Sequence, residues 1–156
     1  MPINDLLSFP IDQKQIYRCY MHTSSQSIPN ATGTGVVFVN RPEDPFNMST
    51  FVFGQANTYV KITKPGLYRV DCAIEYNAAA GNNRIVYIYL YRNNVFTILS
   101  QQSKEGEASS AIALNASAVV TLQQGDYLLV SAHQDSGGSL GLTGTTGNYF
   151  IVSELK

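Results

Sequence analysis

Gly66-Leu-Tyr-Arg-Val-Asp-Cys-Ala-Ile-Glu-Tyr76 alternates with a period of two. Tyr68, Val70, Cys72, Ile74 and Tyr76 fall on one face, and Leu67, Arg69, Asp71, Ala73 and Glu75 on the other. Successive side chains of a β-strand point to opposite sides, so the pattern is that of an antiparallel strand half in a core and half in water. Lys64-Pro65-Gly66 ahead of it is a turn, because proline fixes φ and glycine accepts positive φ. The same period returns downstream, where Ile112, Leu114, Ala116, Ala118, Val120 and Leu122 share one face of an extended run. Gln123-Gln124-Gly125-Asp126 then turns the chain into Tyr127–Ala132, and the two runs are expected to pair as a hairpin. Residues 148–155 read as a final strand.

Working outward, shorter strands are expected near 16–22, 35–39, 49–53, 58–63, 84–91 and 95–101. Gly33-Thr-Gly35, Arg41-Pro-Glu-Asp-Pro45, Ala80-Gly-Asn-Asn83 and Arg92-Asn-Asn94 supply the breaks. Residues 136–147, rich in Gly, Ser and Thr, read as a flexible polar loop. No segment sustains helical periodicity with caps. Many short strands punctuated by turns mean an all-β sandwich or barrel.

Composition bounds the function. The 156 residues fit one domain. Charged residues are 13% of the chain, against roughly 25% in an average soluble domain. Ser, Thr, Asn and Gln together number 46, so the surface is made mostly of uncharged hydrogen-bonding groups. A net charge of -1 offers no basic excess for phosphates, and nucleic acid is an unexpected partner. At 44% hydrophobic residues the chain is too apolar to be disordered. No run of about 18 apolar residues exists to cross a membrane. The N-terminus lacks the charged and apolar regions of a signal peptide, so synthesis in the cytoplasm is expected. Two cysteines, Cys19 and Cys72, are too few for a disulfide scaffold and are expected to be free buried thiols, with a single bridge between them as the alternative.

One strand breaks the half-buried pattern. Ile85-Val-Tyr-Ile-Tyr-Leu-Tyr91 puts Val86, Ile88 and Leu90 on one face and Tyr87, Tyr89 and Tyr91 on the other. A two-layer sandwich has a single core, so the tyrosine face needs a second cover. Another copy of the chain suits tyrosine, which buries its ring while its hydroxyl finds a polar partner. A local loop folding over the strand is the alternative.

The order Phe38-Val-Asn40, Phe51, Tyr59-Val-Lys-Ile62, Gly66-Leu-Tyr68-Arg-Val70, Tyr76, Gly125-Asp126-Tyr127 and Phe150-Ile-Val-Ser-Glu-Leu155 resembles the complement-q globular head and tumour-necrosis-factor-like jelly-roll family. The resemblance runs from about residue 16 to the end. It implies a ten-stranded antiparallel jelly-roll sandwich that packs into a homotrimer around an aromatic-lined three-fold axis. Tyr87, Tyr89, Tyr91, Tyr68 and Phe150 are the expected interface residues. The chain departs from the family's secreted members, having no Gly-X-Y repeat and no visible anchor. Residues 1–15 form instead an arm ahead of the domain at 16–156. Together these features resemble phage or viral structural proteins such as capsid decoration (cement) proteins, vertex spikes and fibre tips. Ile3, Leu6, Leu7, Phe9 and Ile11 give the arm enough apolar surface to dock on a capsid neighbour; packing on its own domain is the other reading.

Signatures of catalysis are weak. Gly137-Gly-Ser-Leu-Gly141 fits G-x-S-x-G, but no strand-to-helix elbow is expected and neither Asp nor His follows Ser139. His22 and His133 lack metal-ligand spacing. Asp126 and Asp135 form too thin a set of hard ligands for calcium and read as turn residues. The expectation is therefore a non-enzyme, without metal or cofactor, acting on the virion as a trimeric decoration protein. The alternative is a receptor-binding tip that recognises a host glycan or protein through loops 77–83, 92–94 and 134–147.

Overall fold

A computed structural model describes residues 18–23, 25–43, 49–52, 55–144 and 147–155, and the alternation of the sequence becomes strand after strand in it. In chain order these are β1 (Arg18–Thr23), β2 (Ser27–Ile28), β3 (Thr34–Gly35), β4 (Phe38–Glu43), β5 (Ser49–Val52), β6 (Gln55–Lys61) and β7 (Gly66–Tyr76). There follow β8 (Gly81–Arg92), β9 (Val95–Gly106), β10 (Ile112–Leu122), β11 (Tyr127–Gln134), β12 (Leu140–Gly141) and β13 (Tyr149–Leu155). Three of these are two-residue pieces, which leaves ten strands of four residues or more. No helix occurs among the described residues.

Two antiparallel sheets form the layers. The first has the order β10-β7-β13-β1-β4, and the second β5-β6-β11-β8-β9 with β3 added beside β11. Neighbours in a sheet are mostly distant in sequence, as in a jelly roll. The register of the opening stretch is set on both sides: Cys72 faces Ala116 of β10 and Phe150 of β13. Its even face is buried throughout. Tyr68, Val70, Cys72, Ile74 and Tyr76 are at most 2% exposed and meet Val86, Ile88, Leu128, Val130 and Ala132 of the opposing sheet in one core. Phe38 and Phe150 stack within that core at 5.6 Å between ring centres. On the odd face Arg69 and Asp71 pair at 2.8 Å, while Ala73 is the only one of the five to be buried.

Several expectations change. The runs either side of Gln123–Asp126 do not pair as a hairpin. β10 pairs with β7 and β11 with β6 and β8, so this turn carries the chain from one sheet to the other. A tight turn fixes a reversal of direction, but not which partner wins the ladder. Here β7 matches all eleven residues of β10 and takes it. Gly125 sits in the left-handed region at φ 92°, and Gln123 N–H donates to Asp126 Oδ2 at 2.7 Å. A long hairpin forms instead between β8 and β9, closed by Asn93 and Asn94 at φ 52° and 62°, the conformation that asparagine tolerates best after glycine. Both strands outrun the apolar pattern, reaching back to Gly81 and on to Gly106, because ladder hydrogen bonds continue through polar residues. Gly106 is required there: a β-carbon on it would lie 2.5 Å from Arg84 Nη2 and 2.6 Å from Gly81 O.

The segment read as a loose loop from 136 is anchored in part. Leu140 and Leu142 enter the core, β12 pairs with β2, and the buried Gln134 side chain donates to Ile28 O and Gly138 O. Asn148, fully buried, accepts from Glu75 N–H at 2.6 Å and donates to Thr143 O. The alternation could not show this, since glycines interrupt it.

Candidate assembly and binding surfaces

β8 lies inside the second sheet between β11 and β9. Val86, Ile88 and Leu90 enter the core, which turns Tyr87, Tyr89 and Tyr91 to the outside, where all three are half-buried. Cross-strand register sets Tyr91 opposite Tyr127 and Phe96, and Tyr89 opposite Leu129 and Ile98. The rings then run as a continuous chain. Tyr87–Tyr89 centres are 5.5 Å apart, Tyr89–Phe96 6.1 Å, Tyr91–Phe96 4.6 Å, Tyr91–Tyr127 6.3 Å and Tyr127–Tyr59 6.3 Å. Such spacing gives edge and offset contacts that add to the area buried. Leu129 beneath them is 7% exposed although it points away from the core. Burial pushes the Tyr89 phenol above its ordinary pKa, with Tyr87 adding to the shift.

Tyr68 and Phe150, expected beside these three at an interface, belong to the core instead, at 2% and 0% exposure. Their strands alternate, and both fall on the inward parity. They cannot reach a second copy. The Tyr68 hydroxyl donates to Lys64 O at 2.7 Å and ties down the turn before β7. The arm residues Ile3, Leu6, Leu7, Phe9 and Ile11 lie outside the described residues.

Sequence reasoning missed the exposed apolar side chains of β9. Val95, Phe96 and Ile98 are 59%, 52% and 49% exposed, and Val119 on β10 is 62% exposed. β9 and β10 are edge strands of the two sheets, and they lie side by side, with Asn115 N–H donating to Gln102 Oε1 across the gap. The signal was present in Val95-Phe-Thr-Ile98, which carries no charge, but only topology shows that this strand lies at a sheet edge.

The three loops expected to act together divide between two ends. Loops 77–83 and 134–138 meet: Asp135 N–H donates to Asn83 O, Asn82 Nδ2 to Asp135 O, and Gly137 N–H to Asn30 Oδ1. The Asn93–Asn94 turn lies at the far end of β8, roughly 35 Å away by strand rise. There it joins the Gln123–Asp126 turn through a two-point pair, Arg92 Nε to Asp126 Oδ1 at 2.8 Å and Arg92 Nη2 to Asp126 Oδ2 at 2.5 Å. Burial raises the pKa of Asp126, but the hydrogen bonds from Arg92 and the Gln123 amide, with Arg92's charge, hold it below the ordinary carboxylate value.

Other candidates find ordinary surroundings. Ser139 sits exposed between β11 and β12, with no helix behind it. His133 lies on β11, and its backbone N–H and C=O both bond the buried Tyr76 hydroxyl. The His22 side chain lies outside what is described. Asp135 Oδ1 is buried without a partner, and among the described residues no three His, Cys, Asp or Glu cluster as metal ligands. Cys72 is a free thiol that burial pushes up to about 12. Cys19 pairs with Val152, so β13 stands between the two cysteine-bearing strands. Two strand spacings come to about 9.6 Å, beyond the reach of a disulfide.

No known family model matches the chain, and no curated protein matches it. Solved structures do. A crystal structure of murine APRIL at pH 5.0 superposes with a TM-score of 0.71 at 11% identity, covering 90% of this chain and 100% of that one. Eiger TNF from S. frugiperda superposes at 0.65 with 13% identity, covering 90% and 93%. Identities this low speak for architecture alone: the chain has a tumour-necrosis-factor-like jelly-roll fold.

Proposed function

We propose that this chain is a non-enzymatic virion protein, a homotrimeric jelly roll that decorates a phage head and stabilises it. It is made in the host cytoplasm and carried on the particle. Self-association is supported by one observation above all. Phe96 and Ile98 stand exposed on the outer face of β9, beside the Tyr89 and Tyr91 rings of β8. Exposed apolar and aromatic surface of this kind marks contact sites, which closed symmetric assembly would bury. The tumour-necrosis-factor-like fold is compatible with three copies around one axis.

Docking on the head falls to residues 1–15, through Ile3, Leu6, Leu7, Phe9 and Ile11. Three arms carried on one trimer bind together, so modest contacts per arm add into a stable clamp. Deleting residues 1–15 is expected to leave the assembly intact and abolish its attachment to purified heads. Retained attachment would contradict the docking role of the arm.

A second reading, a receptor-binding spike or fibre tip, draws on the loops 77–83 and 134–138 meeting at one end. Their exposed Asn, Ser and Gly residues suit adaptable hydrogen bonding to a host glycan or protein. Binding of the isolated protein to host cells, weakened by Asn82→Ala, would favour it over decoration.

A further inference from the structure

The two turns at the other end flank a solvent-open cavity of about 260 Å³ between Tyr91–Asn94 and Gln123–Tyr127. We propose that this cavity binds one ring of a neutral saccharide. The inference does not rest on the trimer, because every lining residue belongs to one chain.

Rigidity is the first ground. Arg92 grips both oxygens of Asp126 and also donates to Thr121 O, while Asp126 accepts from Gln123 N–H. Asn93, Asn94 and Gly125 hold left-handed backbone that fixes each turn. A cavity preformed in this way orders little on binding.

Charge is the second. The lining carries one cation and one anion, and each satisfies the other. The two charges cancel, so the lining has no net charge to attract a phosphate or carboxylate, and the walls are too polar for a hydrocarbon. What remains is amide and phenol. The Tyr91 hydroxyl donates to Asn94 Oδ1 at 2.9 Å, which aims that side chain and leaves its N–H groups to donate. Gln123 and Gln124 are exposed and add groups that both give and accept hydrogen bonds. A sugar hydroxyl also does both, so a polyol matches this lining where a purely donating or accepting ligand does not. Tyr91 and Tyr127 also line it, and tyrosine is a residue type whose ring can pack on the C–H face of a pyranose. The volume lies just under the range for drug-sized ligands, which suits a single ring.

The test is a titration of the isotope-labelled full chain with glucose, galactose, N-acetylglucosamine and N-acetylgalactosamine, read by amide chemical shifts. At least one sugar is expected to bind with a dissociation constant on the order of 1 mM, with shifts centred on residues 91–94 and 123–127. Asn94→Gly keeps the left-handed turn and removes the amide, and Gln124→Ala removes another; each should weaken binding about fivefold. Ser109→Ala, exposed in the turn after β9 and at the end of the sandwich away from the cavity, should leave it unchanged. No shifts with any of the four sugars up to about 50 mM would overturn the proposal. So would shifts centred elsewhere, unchanged binding by both cavity variants, or tighter binding of glucuronate than of glucose. A trimer that binds no sugar would sink this site alone, and a sugar-binding monomer would sink the assembly reading alone.

Discussion

Arg84 is fully buried on the core face of β8 and has no carboxylate partner among the described residues. Its guanidinium instead gathers Ala79 O at 2.9 Å and the carbonyls of Asn82 and Asn83 at 3.3 Å, leaving Nε unbonded. It acts as a plug that holds the 79–83 loop against the end of the sandwich. Arg84→Ala would strand these carbonyls and open a cavity, so a loss of about 2–4 kcal/mol in denaturant unfolding is expected. Cys72 makes a different forecast. With its thiol pushed up to about 12, almost no thiolate exists at pH 8. In a Cys19→Ser variant, thiol titration should find no reactive group in the native protein and one after unfolding. Asp126 governs acid stability. Its folded pKa lies below its unfolded value near 3.9, so its contribution is complete above that value and disappears as pH falls through the folded pKa. Asp126→Asn should therefore lower stability at neutral pH and flatten the loss below about pH 4, as followed by thermal melting across pH. At this scale the sequence was partly silent. It offered Asp126 as a turn residue, but the Arg92 that pairs with it is 34 positions away.

Strand β7 could be read from its residues alone, because five inward positions alternate with five outward ones and the turn before it carries Pro65-Gly66. β8 was legible over 84–91, both faces included, but not in its polar start from Gly81. β9 was only half so: Val95–Gln101 could be seen, while Gln102–Gly106 is a polar continuation that exists because β8 supplies its ladder. The β10–β11 connection misled for a related reason, since pairing is decided by long-range competition that a local turn does not record. Tyr68 and Phe150 show the same limit, as an aromatic residue suits a core and an interface equally well. The exposed face of β9 carries its own prediction. Phe96 and Ile98 are about half-exposed, so Phe96→Glu with Ile98→Glu should cost a single chain about 1 kcal/mol per site, most of it from the Phe96 ring contacts. The same pair of changes should abolish self-association, seen as a shift to a later elution volume. Unaltered elution would move the contact away from this face.

The whole molecule has distinct territories. One end is closed by Arg84 and the 77–83 and 134–138 loops, the other by the Arg92–Asp126 clasp and its cavity, and along one side β9 and β10 meet with Phe96 and Ile98 exposed. Low charge gains a location in this picture: amides and hydroxyls crowd the ends, and rings line the second sheet. The fold class was legible because alternation and turns repeat along the chain. The division of the loops between two ends was not, because it follows from the length of β8 and the order of the strands. Assembly through the exposed face of β9 is the claim on which the functional reading stands, and sedimentation equilibrium of the purified chain at micromolar concentration tests it most directly. The account predicts a single species of three times the chain mass, whereas a monomer across that concentration range would contradict it.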